Sequence, residues 1–143
     1  MTPDLVRGTA SVLEGDSLPP FSLELSLQRL VREAAVNRDF TPIHHDPAAA
    51  QHSGARTAYA NTMLLQAMLE AMLRNWAGPG ARIRSLEFTM RSFCYEGSTA
   101  TANGVVTRVV HEDSGLLTFV HVDIESEETR CVDGEAVVAF PVR

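Results

Sequence analysis

The chain is 143 residues long and 45% hydrophobic, enough for one globular core and too short for a second domain. Its net charge of -6, with all twelve basic residues arginine and none gathered into a stripe, argues against a nucleic-acid surface. Cys94 and Cys131 form neither a disulfide framework nor a metal-ligand spacing, and no apolar run reaches signal-peptide or membrane-spanning length. The expectation is a reduced cytoplasmic protein, without metal or membrane contact.

Residues 1–20 carry weak apolar pairs, Leu5-Val6 and Val12-Leu13, then Gly15-Asp16 and Pro19-Pro20. They read as an extended lead-in or, equally, a partly ordered tail. Phe21 to Leu25 alternates as a strand does. Ser26 is a good N-cap for a helix carrying Leu27, Leu30, Val31, Ala34 and Ala35 on one side, and this helix delivers the chain to Asp39. In the stretch from Asn37 to Pro47, Pro42 and Pro47 lack backbone donors and push their predecessors toward extended geometry, which predicts a stiff loop. Across that bend Asp39 and His44 can converge on one small volume, the requirement for paired acid and base work. Ordinary turn and capping chemistry explains the same residues, and on composition alone both readings stand. Asp46, or the residue before it, then caps a short helical turn through Ala48 to Ala50 that ends at Ser53-Gly54.

A second helix is predicted from Asn61 to Trp76. It is apolar around most of its circumference, broken only by Thr62, Gln66, Glu70 and Arg74 in a narrow stripe, so it must be buried except along that edge. Met63, Met68 and Met72 read as core filler. Ala77-Gly78-Pro79-Gly80 stops the helix. Four β-branched runs follow, Arg82–Met90, Thr99–Val110, Leu116–Ile124 and Arg130–Val142, and read as an antiparallel meander of four strands. Asp113-Ser114-Gly115 and Asp133-Gly134 supply positive-φ positions for turns or bulges. One long apolar helix beside such strands needs a sheet curled over it, an α+β architecture.

The loop resembles the signature of the MaoC-like dehydratases and (R)-specific enoyl-CoA hydratases, Gly-Asp-x-Asn-Pro-(aliphatic)-His-x-Asp-Pro. Here the chain reads Arg38-Asp39-Phe40-Thr41-Pro42-Ile43-His44-His45-Asp46-Pro47. Gly15 to Pro20 is similar to that family's lead-in, Met63-Leu64-Leu65 to its central helix, and Phe93 to Gly97 to its strand and Gly turn. The wording also resembles small single-hotdog members of steroid side-chain degradation, some of which pair with a degenerate hotdog partner. The resemblance implies a hotdog fold over residues 1–143, with Asp39 and His44 as the catalytic pair. It departs at Arg38, where the family has Gly, at Thr41, where it has Asn, and at Asn61-Thr62, where a His-Gly step opens the helix.

The implied activity is reversible syn hydration of a trans-2-enoyl thioester to the (R)-3-hydroxyacyl thioester. Asn61 and Thr62 are then candidates for binding the thioester oxygen at the helix N-terminus, where free N–H groups and the dipole favour negative charge. No cofactor is implied. The partners implied are an acyl thioester of coenzyme A or of a carrier protein, and a second hotdog chain in a homodimer or a heterodimer. A thioesterase and a non-catalytic acyl-binding subunit are the rival readings on the same fold. His45, His52, His111 and His121 are assigned no chemistry.

Overall fold

The computed structural model describes residues 12–142. The expectation placed on Leu5-Val6 lies outside them. Within them the elements are β1 (Phe21–Glu24), α1 (Leu27–Val36), a 3-10 turn (Pro42–His44), α2 (Pro47–His52), α3 (Thr62–Ala77), β2 (Arg82–Met90), β3 (Thr99–Glu112), β4 (Gly115–Ser126) and β5 (Thr129–Pro141). The local signals explain their ends. Ser26 accepts the Arg29 N–H, Asp46 accepts the N–H groups of Ala48 and Ala49 with Pro47 at the first helical position, and Asn61 accepts the Leu64 N–H.

The fold is the hotdog: a curled antiparallel sheet wrapped on one helix. Leu64, Leu65, Met68, Leu69, Met72, Leu73 and Trp76 of α3 are all buried against Val106, Val120, Val122, Ile124, Val132 and Val138 of the sheet. Each such side chain contributes roughly 1.5–3 kcal/mol by leaving water. The polar stripe stays at the edge of this contact, tied by Gln66 Nε2 to Glu70 Oε1 at 2.9 Å and by the Glu70–Arg74 ion pair at 3.5 Å. Met63 does not fill the core. It is about half exposed on the first turn of α3, whereas Met68 and Met72 are buried as expected.

The strand order is β1-β3-β4-β5-β2, which corrects the meander of four. Only β3, β4 and β5 run as consecutive hairpins. β2 crosses to the far side of β5, pairing Arg82 with Ala139 through Met90 with Val132, while β1 takes the free side of β3. The lead-in extends β1 along that edge: Leu18 N–H donates to Gly104 C=O and Gly15 N–H to Val106 C=O, both at 2.8 Å. The β4–β5 connection is a two-residue turn in which Glu127 (φ 50°) and Glu128 (φ 60°) both take the left-handed conformation that matches strand twist.

Gly134 also differs from expectation. It lies inside β5, not in a positive-φ turn, and glycine is required there because a Cβ would meet the Glu87 carbonyl oxygen at 2.2 Å and Phe88 at 2.7 Å. Among the described residues no helix is long and apolar enough to cross a membrane. Gly134→Ala should therefore force β5 from β2 and lower unfolding stability by about 1–3 kcal/mol. Gly80→Ala, with nothing within 4 Å of the added carbon, should be near neutral. Urea unfolding of the two variants checks this, and equal stability would show that β2 sits farther off.

Candidate active site

Asp39 is placed by the way α1 ends. Arg38 N–H donates to Ala35 C=O at 3.2 Å and Asp39 N–H to Ala34 C=O at 2.9 Å, the paired bonds of a Schellman cap. Such a cap needs one residue in the left-handed region, and that residue is Arg38, at φ 53°. The departure from glycine at this position leaves the backbone shape intact and costs strain instead.

The carboxylate that follows is held at both oxygens. Oδ1 accepts the Thr41 N–H at 3.2 Å, and Oδ2 accepts Asn61 Nδ2 at 3.1 Å. A turn bond and a long-range bond to Asn61 thus meet on the same side chain. Burial raises the Asp39 pKa, but the bonds from Thr41 and Asn61 and the nearby His44 outweigh it and leave the carboxyl below its ordinary value. It is ionised at neutral pH.

His44 ends the 3-10 turn that Pro42 starts. Pro42 C=O accepts the N–H groups of His45 at 3.0 Å and Asp46 at 2.8 Å, which locks the turn before α2 begins. His44 Nδ1 lies 2.9 Å from the Tyr59 carbonyl oxygen, which can only accept, so Nδ1 carries the proton. Nε2 then faces Asp39 Oδ2 at 3.7 Å. That separation is too long for a direct hydrogen bond and lets both groups meet one water lying beside the pair.

Tyr59 is the residue that sequence reasoning missed. Its N–H also donates to Ile43 C=O at 3.4 Å, its ring meets the His44 ring edge-on at 5.1 Å, and it stacks on Phe93 at 4.0 Å. The segment around it is laced to the 94–96 stretch by Ala60 N–H to Cys94 C=O at 2.9 Å and Glu96 N–H to Ala58 C=O at 2.8 Å. Phe93 therefore stands outside any named strand, as the aromatic wall behind Tyr59. Nothing local in the sequence links position 59 to positions 43 and 44.

Asn61 and Thr62 lie beside the pair, at the start of α3. Asn61 is buried, with Oδ1 capping the helix and one N–H of Nδ2 on Asp39, so its side-chain amide is engaged at both ends. Thr62 is exposed, and its hydroxyl donates to Met90 Sδ at 3.2 Å. Its backbone N–H is one of the first-turn donors that no helical carbonyl can reach. Phe40 and Met63, the neighbours of Asp39 and Thr62, are exposed apolar side chains. His52 and His111 are exposed elsewhere, and His121 Nε2 lies 3.2 Å from Asp133 Oδ1 on the sheet. Burial makes the free thiols of Cys94 and Cys131 harder to ionise. Among the described residues no group of three or more His, Cys, Asp or Glu is arranged to hold a metal ion.

No family model matches the chain. It is 31% identical over 104 residues, 73% of its own length and 78% of the relative's, to the 3-oxo-4,17-pregnadiene-20-carboxyl-CoA hydratase beta subunit of Mycobacterium tuberculosis. Among solved structures it is similar to the ChsH1-ChsH2 complex of M. tuberculosis, with a TM-score of 0.82 and 26% identity over 90% of this chain and 98% of that one. It also superposes on an (R)-hydratase from A. caviae involved in PHA biosynthesis, with a TM-score of 0.83 over 92% and 98% of the two chains. At 24% identity that likeness bears on the fold alone.

Because Arg38 holds a left-handed conformation, Arg38→Gly should stabilise the protein by about 0.5–1 kcal/mol, after the entropy glycine adds to the unfolded chain. Thermal or urea unfolding measures it. A destabilised glycine variant would mean that the Arg38 side chain contributes more than its backbone costs.

Proposed function

The chain belongs to the MaoC-like hydratases of the hotdog fold, and on that footing we propose that it catalyses reversible syn hydration of a trans-2-enoyl-CoA to the (R)-3-hydroxyacyl-CoA. The observation that carries the reading is the 3.7 Å gap between Asp39 Oδ2 and His44 Nε2, with each side chain fixed by a second bond. A water lying beside the pair, within reach of both, donates to both acceptors and keeps its lone pairs free. Its oxygen bonds to the β-carbon as Asp39 takes one of its protons, and the electron pair of the double bond moves onto the thioester oxygen. The Thr62 N–H, at the positive end of α3, meets that charge. The α-carbon then takes up the proton that Asp39 holds, so one water is consumed and the pair returns to its starting state.

Two features favour this over thioester hydrolysis or passive binding. The Asp-x4-His loop, from Asp39 to His44, is the pattern that hydratase chemistry uses, and both of its members are present and fixed by hydrogen bonds. The relative's name puts a steroid carboxylate on coenzyme A, so a polycyclic acyl-CoA stands beside fatty enoyl-CoA as a substrate of this reading. The words "beta subunit" and the two-chain complex support a second hotdog chain as partner, and unpaired thiols fit a cytoplasmic setting.

The test is hydration of crotonyl-CoA and of a longer trans-2-enoyl-CoA by the chain purified from its own host with any companion subunit. Asp39→Asn should lower turnover roughly 10²–10⁴-fold with little change in melting temperature. His44→Ala should also lose activity, whereas His45→Ala should stay within a few fold. An active Asp39→Asn enzyme would sink the mechanism.

A further inference from the structure

Asn61 performs two tasks with one amide. The Leu64 N–H can only donate, so the end it meets at 2.9 Å is Oδ1, and the end turned to Asp39 is necessarily the NH₂ group. The amide cannot flip without opposing like groups at both contacts. Asn61 is 4% exposed, so bulk water does not compete for that donor, and a buried donor without its acceptor is costly. The oxygen it holds, Oδ2, is the one that faces His44 Nε2. With Thr41 N–H on Oδ1, rotation of the carboxylate is blocked from both sides.

We propose that Asn61 is a positioning residue for the hydration reaction, fixing the aim of the Asp39 carboxylate and disfavouring its protonation through the same side chain that caps α3. This rests on reading Asp39 as the base. It is separate from the role in binding the thioester oxygen that the resemblance suggested for Asn61, which the Thr62 backbone N–H can also fill. Among the described residues, His44 is the titratable neighbour that acts on Asp39, from the 3-10 turn. α3 contributes Asn61, Thr41 contributes its N–H and hydroxyl, and no side chain of α1 is ion-paired with the carboxylate. Two of these neighbours thus favour the ionised form through hydrogen bonds and one through charge.

Two substitutions separate positioning from capping. Ser caps a helix as well as Asn does but cannot reach Asp39, while Asp keeps both the cap and the shape but sets a second carboxylate against the first. The measurements are carbon-13 titration of the Asp39 carboxyl, which needs no turnover, the pH profile of kcat/KM with crotonyl-CoA, and thermal melts.

Asp39 should titrate at higher pH in Asn61→Ser, and higher again in Asn61→Asp. The acid limb of kcat/KM should move the same way, since a base that protonates sooner is lost sooner as pH falls. kcat should drop roughly 10- to 100-fold with KM less affected. Should Asn61→Ser fail to fold, the isosteric Asn61→Asp carries the test. An unmoved Asp39 titration in a folded variant overturns the proposal, and so does a moved titration without a matching shift of the acid limb. Loss of activity in Asp39→Asn together with an unmoved titration would show that the base reading survives and only the role of Asn61 fails, whereas a limb that does not follow a moved Asp39 titration would count against Asp39 as the base itself.

Discussion

A helix that is apolar nearly all round must find partners for its first-turn N–H groups where they are buried, and in α3 the Leu64 N–H is met by one residue. Asn61 sits 4% exposed at the point where the chain enters the core, so its side chain must accept from the helix. Once its oxygen is committed to the helix, its NH₂ group has to find an acceptor, and the acceptor supplied is Asp39. The core and the site are therefore joined by a single amide. Burying Leu65, Leu69 and Leu73 and holding the carboxylate are parts of one packing arrangement.

The rest of the site is built from helix ends of the same kind. Asp39 follows the Schellman cap of α1, His44 closes a proline-started turn, and Thr62 begins α3, so the backbone at each position is fixed by hydrogen bonds close by in sequence. What those local devices leave open is the direction of the His44 ring. Tyr59 settles that with its carbonyl oxygen on Nδ1 and its ring edge-on to the imidazole, backed by Phe93. Ordering side chains costs conformational entropy, and here most of that cost is met during folding, before any substrate arrives.

These differences decide what the sequence could reveal. Helix limits came within a residue or two of observation because Ser26, Asp46 and Asn61 cap as their types dictate, and the strands followed from period-two runs. The position of β2 beside β5 was not legible. Adjacent strands in sequence usually pair, but here the 91–98 segment that separates β2 from β3 packs against Tyr59 and Ala58 instead of closing a hairpin. Gly134 misled for a related reason, since its glycine answers the approach of β2 and not a turn of its own chain. Asp39 and His44 stood out because two prolines and a recognisable spacing framed them. Tyr59 acts through its backbone, and no side-chain pattern announces a carbonyl.

A carboxylate held below its ordinary pKa is a weaker base than a free one, which sits awkwardly with the work of taking a proton from water. Two considerations offset this. The hydrogen bonds that weaken the base also keep it ionised and aimed, and misplacement of a reacting group costs more than a modest loss of basicity. The proton need not leave water unaided either, because in the proposed reaction its departure is coupled to attack on a carbon already polarised toward the helix N-terminus. Stabilising the enolate at Thr62 lowers the demand on Asp39 by the same free energy that it supplies to the oxygen. On this account the strength of the base and the field of α3 are not independent: a chain that buries α3 deeply enough to need Asn61 as its cap gains the dipole and accepts the weaker base together.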